Sequence, residues 1–76
     1  MSRLHPVRAR QLIRYLEYLG LVQVRQQGSH KFFRHHDGRT ATVPEHAGED
    51  LGRGILANIL RDLDSSPEEF LTWLSR

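Results

Sequence analysis

Cysteine is absent from the 76 residues, so the core rests on aliphatic and aromatic packing alone, with no disulfide, as suits a reducing cytoplasm. Long apolar runs are missing too. Nothing approaches the roughly 20 apolar residues that span a bilayer, and the first ten residues carry three arginines and no apolar stretch of the kind a secretion signal needs. These absences predict a cytoplasmic protein that makes no membrane contact. The chain is also too short for two cores, so residues 1–76 are expected to form one domain. Domains this small bury only about 60 % of the surface their unfolded chains expose, which places any site on a surface or sheet face rather than in a deep pocket.

The formal charge is only +2, but it is unevenly spread. Residues 1–44 hold eight Arg or Lys against two acids, and residues 45–76 hold three against seven, giving local balances of +6 and −4. Such asymmetry lets one part of the surface attract phosphates while another repels them or meets a basic partner; an ordinary solvated charge distribution is the plainer alternative.

Leu12, Ile13, Leu16 and Leu19 form the stripe of an amphipathic helix over Ala9 to Leu19, closed by Gly20, which enters the left-handed conformation without a Cβ clash. Arg8 offers this helix no capping oxygen. Leu21 to Gln27 and His30 to His35 read as a hairpin reversed at Gly28, and Asp37-Gly38, as a turn with positive φ at both central residues, introduces a third strand, Arg39 to Val43, ended by Pro44. Glu45 to Gly54 reads as a surface loop. Ile55, Leu56, Ile59, Leu60 and Leu63 mark a second helix ending near Asp64, and Ser66-Pro67-Glu68-Glu69 forms a capping box ahead of a short terminal helix with Phe70, Leu71 and Leu74 inward. The order is helix, three antiparallel strands, helix, helix. It predicts an α+β sandwich with helices on one sheet face and solvent on the other, the architecture of double-stranded-RNA-binding domains.

Strand parity separates His30, Phe32 and Arg34 from Ser29, Lys31, Phe33 and His35. Phe32 is expected to join Val22 and Val24 in the core, leaving Phe33 on the open face where a base can stack, and His30 at the mouth of the strand on the covered side. His35, His36 and His46, beside Asp37 and Glu45, invite a metal reading. Adjacent strand histidines point to opposite faces, however, and neither zinc-finger spacing nor a helical His-Glu pair is present, so we assign no metal and no cofactor.

Specificity comes from ordered motifs: Gly20-Leu21, Arg25-Gln26-Gln27-Gly28-Ser29-His30, Arg34-His35-His36-Asp37-Gly38, Thr42-Val43-Pro44-Glu45-His46, Gly54-Ile55-Leu56, Ile59-Leu60-Arg61 and Glu68-Glu69-Phe70. In this order and spacing, from about Val7 to Leu74, the chain resembles HicA-type toxins. The resemblance implies a fold like a double-stranded-RNA-binding domain, ribonuclease activity on messenger RNA, neutralisation by a HicB-type antitoxin, and a catalytic histidine in the Gly-Ser-His motif, here His30. The chain departs from the family at Arg8 and Ile55, where a hydroxyl residue and a threonine are common. Each departure weakens a helix start by about 0.5–2 kcal/mol, with Asp50 the available substitute cap for the second helix.

RNA carries its own nucleophile, the 2′-hydroxyl, and needs a base to take its proton and cations to stabilise the phosphorane. Histidine suits the base role because its unperturbed pKa near 6.5 leaves it partly neutral at working pH. We therefore expect His30 to catalyse metal-independent endonuclease cleavage of mRNA, with RNA contacts from Arg25, Ser29, Lys31, Phe33 and Arg34. Judged from the residues alone, His30 also fits a turn-flanking polar position, and Lys31 and Arg34 fit solvated strand positions. Two other function classes follow from the same features: a non-catalytic RNA-binding module, and an interaction domain that docks another protein through its acidic region or open sheet face.

Overall fold

In the computed structural model, which describes residues 3–76, α1 (Ala9–Leu19) forms where the stripe predicts it, with Leu12 and Leu16 buried. Its end is fixed by backbone bonds: Gly20 N–H donates to the Glu17 carbonyl at 3.0 Å and Leu21 N–H to the Leu16 carbonyl at 2.9 Å, with Gly20 at φ 100° and the Leu16 and Leu21 side chains buried together. This two-bond closure needs a left-handed residue, which is why glycine stands there. A Cβ on Gly20 would lie 3.1 Å from His35 Nε2, so its missing side chain also admits the half of the fold that follows. At the other end no side-chain oxygen caps the first turn, but Gln11 reaches back, its Oε1 accepting the Arg8 N–H at 3.0 Å.

Preceding α1 is a two-residue strand, β1 (Val7–Arg8). The three-stranded antiparallel sheet follows: β2 (Val22–Gln27), β3 (His30–Arg34) and β4 (Thr40–Pro44), in that spatial order. Pro44 is the last strand residue. The expected surface loop contains a further strand, β5 (Asp50–Leu51), paired antiparallel with β1 in the register Val7↔Leu51 and Arg8↔Asp50. This ribbon buries Val7 and Leu51 and ties the entries of α1 and α2 (Arg53–Asp62) together. Asp50 therefore does not cap α2. It is held in β5, where its carboxylate lies 3.2 Å from Arg8 Nε, and α2 begins at Gly52 with no side-chain cap.

α2 ends at Asp62, two residues before the expected point. Its closure repeats that of α1, with Asp64 N–H donating to Arg61 O at 3.0 Å and Ser65 N–H to Leu60 O at 2.9 Å, but here Asp64, not glycine, takes the left-handed position at φ 57°. α3 (Pro67–Leu74) carries the expected capping box: Ser66 Oγ accepts from Glu69 N–H at 3.1 Å and Glu69 Oε1 accepts from Ser66 N–H at 3.0 Å. α3 packs on α1 through Phe70 and Trp73, whose rings lie 5.1 and 5.2 Å from that of Tyr15. The Tyr15 hydroxyl shares a buried 2.6 Å hydrogen bond with Ser65 Oγ; burial pushes its pKa above the usual tyrosine value and keeps it neutral.

Register between β3 and β4 decides which side chains enter the core. The connection is a three-residue loop, His36 to Gly38, closed by His35 N–H to Arg39 O at 2.8 Å and Gly38 N–H to His35 O at 2.9 Å, and only Gly38 (φ 101°) has positive φ. A two-residue turn at Asp37-Gly38 pairs Phe32 with Val43. The three-residue loop shifts the ladder by one and pairs Phe33 with Ala41 and Phe32 with Thr42. Phe33 is accordingly in the core at 2 % exposure, with Ala41 and Val43 beside it, whereas Val22 and Val24 are 62 % and 57 % exposed. The expectation for the two phenylalanines is thus reversed. α1 and α2 pack against β4, while every residue of β2 is exposed, so the helix layer covers one part of one face.

Arg39 pins this loop to the helix layer. Its Nε donates to Asp37 Oδ2 at 2.8 Å, its Nη1 to the Leu63 carbonyl at 2.7 Å, and its backbone N–H to Asp37 Oδ1 at 3.0 Å. The last bond foremost, with the guanidinium and His35 adding to it, holds the Asp37 carboxyl below its ordinary pKa. A depressed folded-state pKa gives stability that is fully present above the unfolded value, near 3.9, and lost as pH falls through the folded one. The urea midpoints of the wild type and Asp37→Ala are therefore expected to differ at neutral pH and to converge on acidification. Two further substitutions probe the helix closures in the same assay. Gly20→Ala lowers stability by more than about 1 kcal/mol, and Asp64→Gly raises it by up to about 1 kcal/mol by removing left-handed strain.

Candidate functional site: the open sheet face

With Phe33, Ala41 and Val43 turned toward the helices, the opposite parity faces solvent. Three cross-strand rows make up that face: Gln27, His30 and Pro44; Arg25, Phe32 and Thr42; and Val22, Arg34 and Thr40. A bulge at Val24 shifts the β2 register between Gln23 and Arg25, and this re-aims Arg25 onto the row of Phe32. Its guanidinium carbon stands 4.4 Å from the Phe32 ring centroid, a cation–π pair at the middle of the face. The open face thus presents an imidazole at one end, an arginine-covered aromatic ring in the middle and a second arginine, Arg34, at the other end.

His30 is exposed and occupies the first position of β3, immediately after the tight turn Gly28-Ser29. The turn forms because Gly28 takes φ 59°, and Gln26 Nε2 steadies it by donating to the Gly28 carbonyl at 3.0 Å. The register reversal that buries Phe33 also moves His30 from the expected covered side to the open one. Its place at the strand mouth is as expected; its face is not.

Of the residues expected to contact RNA, the fold gathers His30, Arg25 and Arg34 on one face, with Ser29 at its rim. Lys31 is not among them. It has the parity of Phe33, and its Nζ is 2.5 Å from Glu45 Oε1, both side chains being partly buried. Phe33 cannot stack on a base, since it is buried, and Phe32 takes the position expected for it.

Two features were not apparent in the sequence. The Arg25–Phe32 pair depends on a bulge that no residue type announces. The second is His46, whose Nε2 lies 3.5 Å from Ser29 Oγ and which, with Arg8, Arg10, Glu45 and Glu49, borders a hollow of about 530 Å³ beside the β2–β3 turn. Counting outward from Pro44, opposite His30, would have placed it there. His35, in contrast, is buried just beyond the far end of β3; its Nδ1 lies 3.1 Å from Asp37 N and 3.0 Å from Asp37 Oδ1, and its ring lies tilted against that of His36, with centroids 4.3 Å apart. Among the described residues, no three or more of His, Asp and Glu cluster in a way that could hold a metal ion, and no helix is long and apolar enough to cross a membrane.

No curated protein sequence matches the chain. The family described as the HicA toxin of bacterial toxin-antitoxin matches residues 9–64, from the first residue of α1 to just past the end of α2. That stretch contains the whole three-stranded sheet and its open face, and a match over this much of its length means that the chain belongs to the HicA toxin family, whose toxin-antitoxin pairing implies an antitoxin partner.

Proposed function

We propose that the protein is a metal-independent endoribonuclease that cleaves mRNA in the cytoplasm and is neutralised by a HicB-type antitoxin. The observation that carries this reading is the exposed position of His30 on the same open sheet face as Arg25, Phe32 and Arg34. A single strand laid along that face meets cations for its phosphates and, in the Arg25–Phe32 pair, a guanidinium plane over a ring on which a base can stack. At the end of this track His30 takes the proton of a ribose 2′-hydroxyl, which then attacks the adjoining phosphorus. Ser29, at the turn, offers a hydroxyl to the same backbone. Lys31, neutralised by Glu45, acts at most through the field of that pair.

A reaction of this kind requires RNA, since equivalent DNA lacks the nucleophile. It also gives the antitoxin a simple mode of action. A partner seated on the open face covers His30, Phe32 and both arginines at once, and the exposed Val22 adds apolar area to that surface.

Purified protein is expected to cut single-stranded RNA in EDTA and to leave the matching DNA intact. His30→Ala lowers the cleavage rate by about 10²–10⁴ with the far-ultraviolet circular dichroism unchanged, and cleavage by that variant at the wild-type rate would contradict the assignment. RNA bound without scission by the wild type would instead identify a non-catalytic binding module. Binding of a 2′-deoxy-substituted strand separates the two phenylalanines. Phe32→Ala weakens binding by about 1–3 kcal/mol and leaves the fold intact, whereas Phe33→Ala costs about 3–5 kcal/mol of folding stability. Replacing Arg25 and Arg34 together flattens the slope of log K against log salt by roughly 1.4, two single-strand phosphate contacts.

A further inference from the structure

Cleavage of RNA through its own 2′-hydroxyl takes two proton transfers, one off the attacking oxygen and one onto the departing 5′-oxygen. In an in-line displacement these oxygens lie on opposite sides of the phosphorus, so one imidazole cannot serve both in a single step. If His30 is the base, a second group is needed on the other side.

The fold brings one other histidine to the turn that carries His30. Pro44 pairs across from His30, and Glu45 N–H donates to the Ser29 carbonyl at 2.7 Å, which fixes the exit of β4 against the β2–β3 turn. His46 follows directly. Its Nε2 is 3.5 Å from the hydroxyl of Ser29, the residue immediately before His30, and its carbonyl accepts the Glu49 N–H at 3.1 Å, so the loop that bears it is closed by a turn. The ring is exposed. The remaining histidines of the described residues are placed otherwise: His35 and His36 lie against each other beyond the far end of β3, and His5 Nδ1 bonds the Pro6 carbonyl ahead of β1.

Charges of both signs border the hollow beside His46, two arginines and two glutamates. Glu45 is engaged by Lys31 and Arg8 faces Asp50, while neither Arg10 nor Glu49 makes an ion pair among the described residues. The hollow lies between the start of α1 and the loop after β4, and His46 links it to the β2–β3 turn through Ser29.

We propose that His46 is the general acid of the reaction, a role that rests on the ribonuclease reading above. Neutral His30 removes the 2′-hydroxyl proton as the O2′–P bond forms. The P–O5′ bond breaks, and the leaving oxygen takes the proton held by protonated His46. The products are a 2′,3′-cyclic phosphate and a 5′-hydroxyl; no water is consumed, and exchange with solvent returns both rings to their starting states.

A leaving group that needs no proton tests the role. Cleavage of one RNA oligonucleotide is compared with that of the same strand carrying a bridging sulfur in place of the scissile 5′-oxygen, since a thiolate departs unprotonated. His46→Ala and His46→Gln are expected to slow the ordinary linkage by about 100-fold or more while cutting the sulfur linkage within a few-fold of the wild type. His30→Ala is expected to be slow on both. Wild-type rates for the His46 variants on ordinary RNA, or equal losses on the two substrates, would overturn the acid assignment while leaving that of His30 standing; wild-type rates for His30→Ala on both would instead overturn the base on which it rests. The glutamine variant, which can still bond Ser29, guards against a loss due to loop geometry alone.

Discussion

The three-residue loop between β3 and β4 decides which side chains of the sheet face solvent. Because side chains alternate along a strand, one residue of slip exchanges the two faces completely. The bonds from His35 N–H to Arg39 O and from Gly38 N–H to His35 O fix the ladder so that Phe33 meets Ala41, and the aspartate and arginine on either side of Gly38 hold that loop against the C-terminal end of α2. Once Phe33 is inside, His30 and Phe32 must be outside. The candidate site is thus a consequence of core packing, with the catalytic candidate and the core aromatic placed by the same hydrogen bonds.

A second constraint acts at the helix ends. Both α1 and α2 close with the same pair of backbone bonds through a left-handed residue, Gly20 in one and Asp64 in the other. After the first closure Leu21 enters the core and β2 departs as an exposed edge strand. After the second, Ser65 reaches the Tyr15 hydroxyl and α3 is set against α1. The helix layer that results shields β3 and β4 from one side and leaves the other side of the sheet, and all of β2, available to a polynucleotide or a protein partner.

Much of this was legible in the residues because the relevant signals were local. The apolar spacing and Gly20 set α1, the Ser66-Pro67-Glu68-Glu69 box set the start of α3, and the ordered motifs pointed to the family. What escaped was non-local or marginal. β1 and β5 are two residues each, held by a pairing between segments more than forty positions apart, so neither has a periodicity to detect. The face of the sheet hung on a choice between two loop lengths that Asp37-Gly38 permits equally. The alternation of Thr40, Ala41, Thr42 and Val43 carried the answer, since it shows which parity of β4 is apolar, but it fixes the partner phenylalanine only after the loop is known. His46 drew notice as a metal ligand, and its nearness to Ser29 followed only from the β3–β4 register.

His30 and Phe32 share a solvent face with Arg25 and Arg34, the face proposed to receive RNA. Side-chain NMR during titration with a single strand deoxy-substituted at the scissile ribose tests it most directly, because such a strand binds without being cut. Shift changes are expected at the His30 imidazole and the Phe32 ring, with the buried Phe33 and Tyr15 rings unmoved. Perturbation confined to the helix side, with the His30 resonances unchanged at saturation, would contradict it.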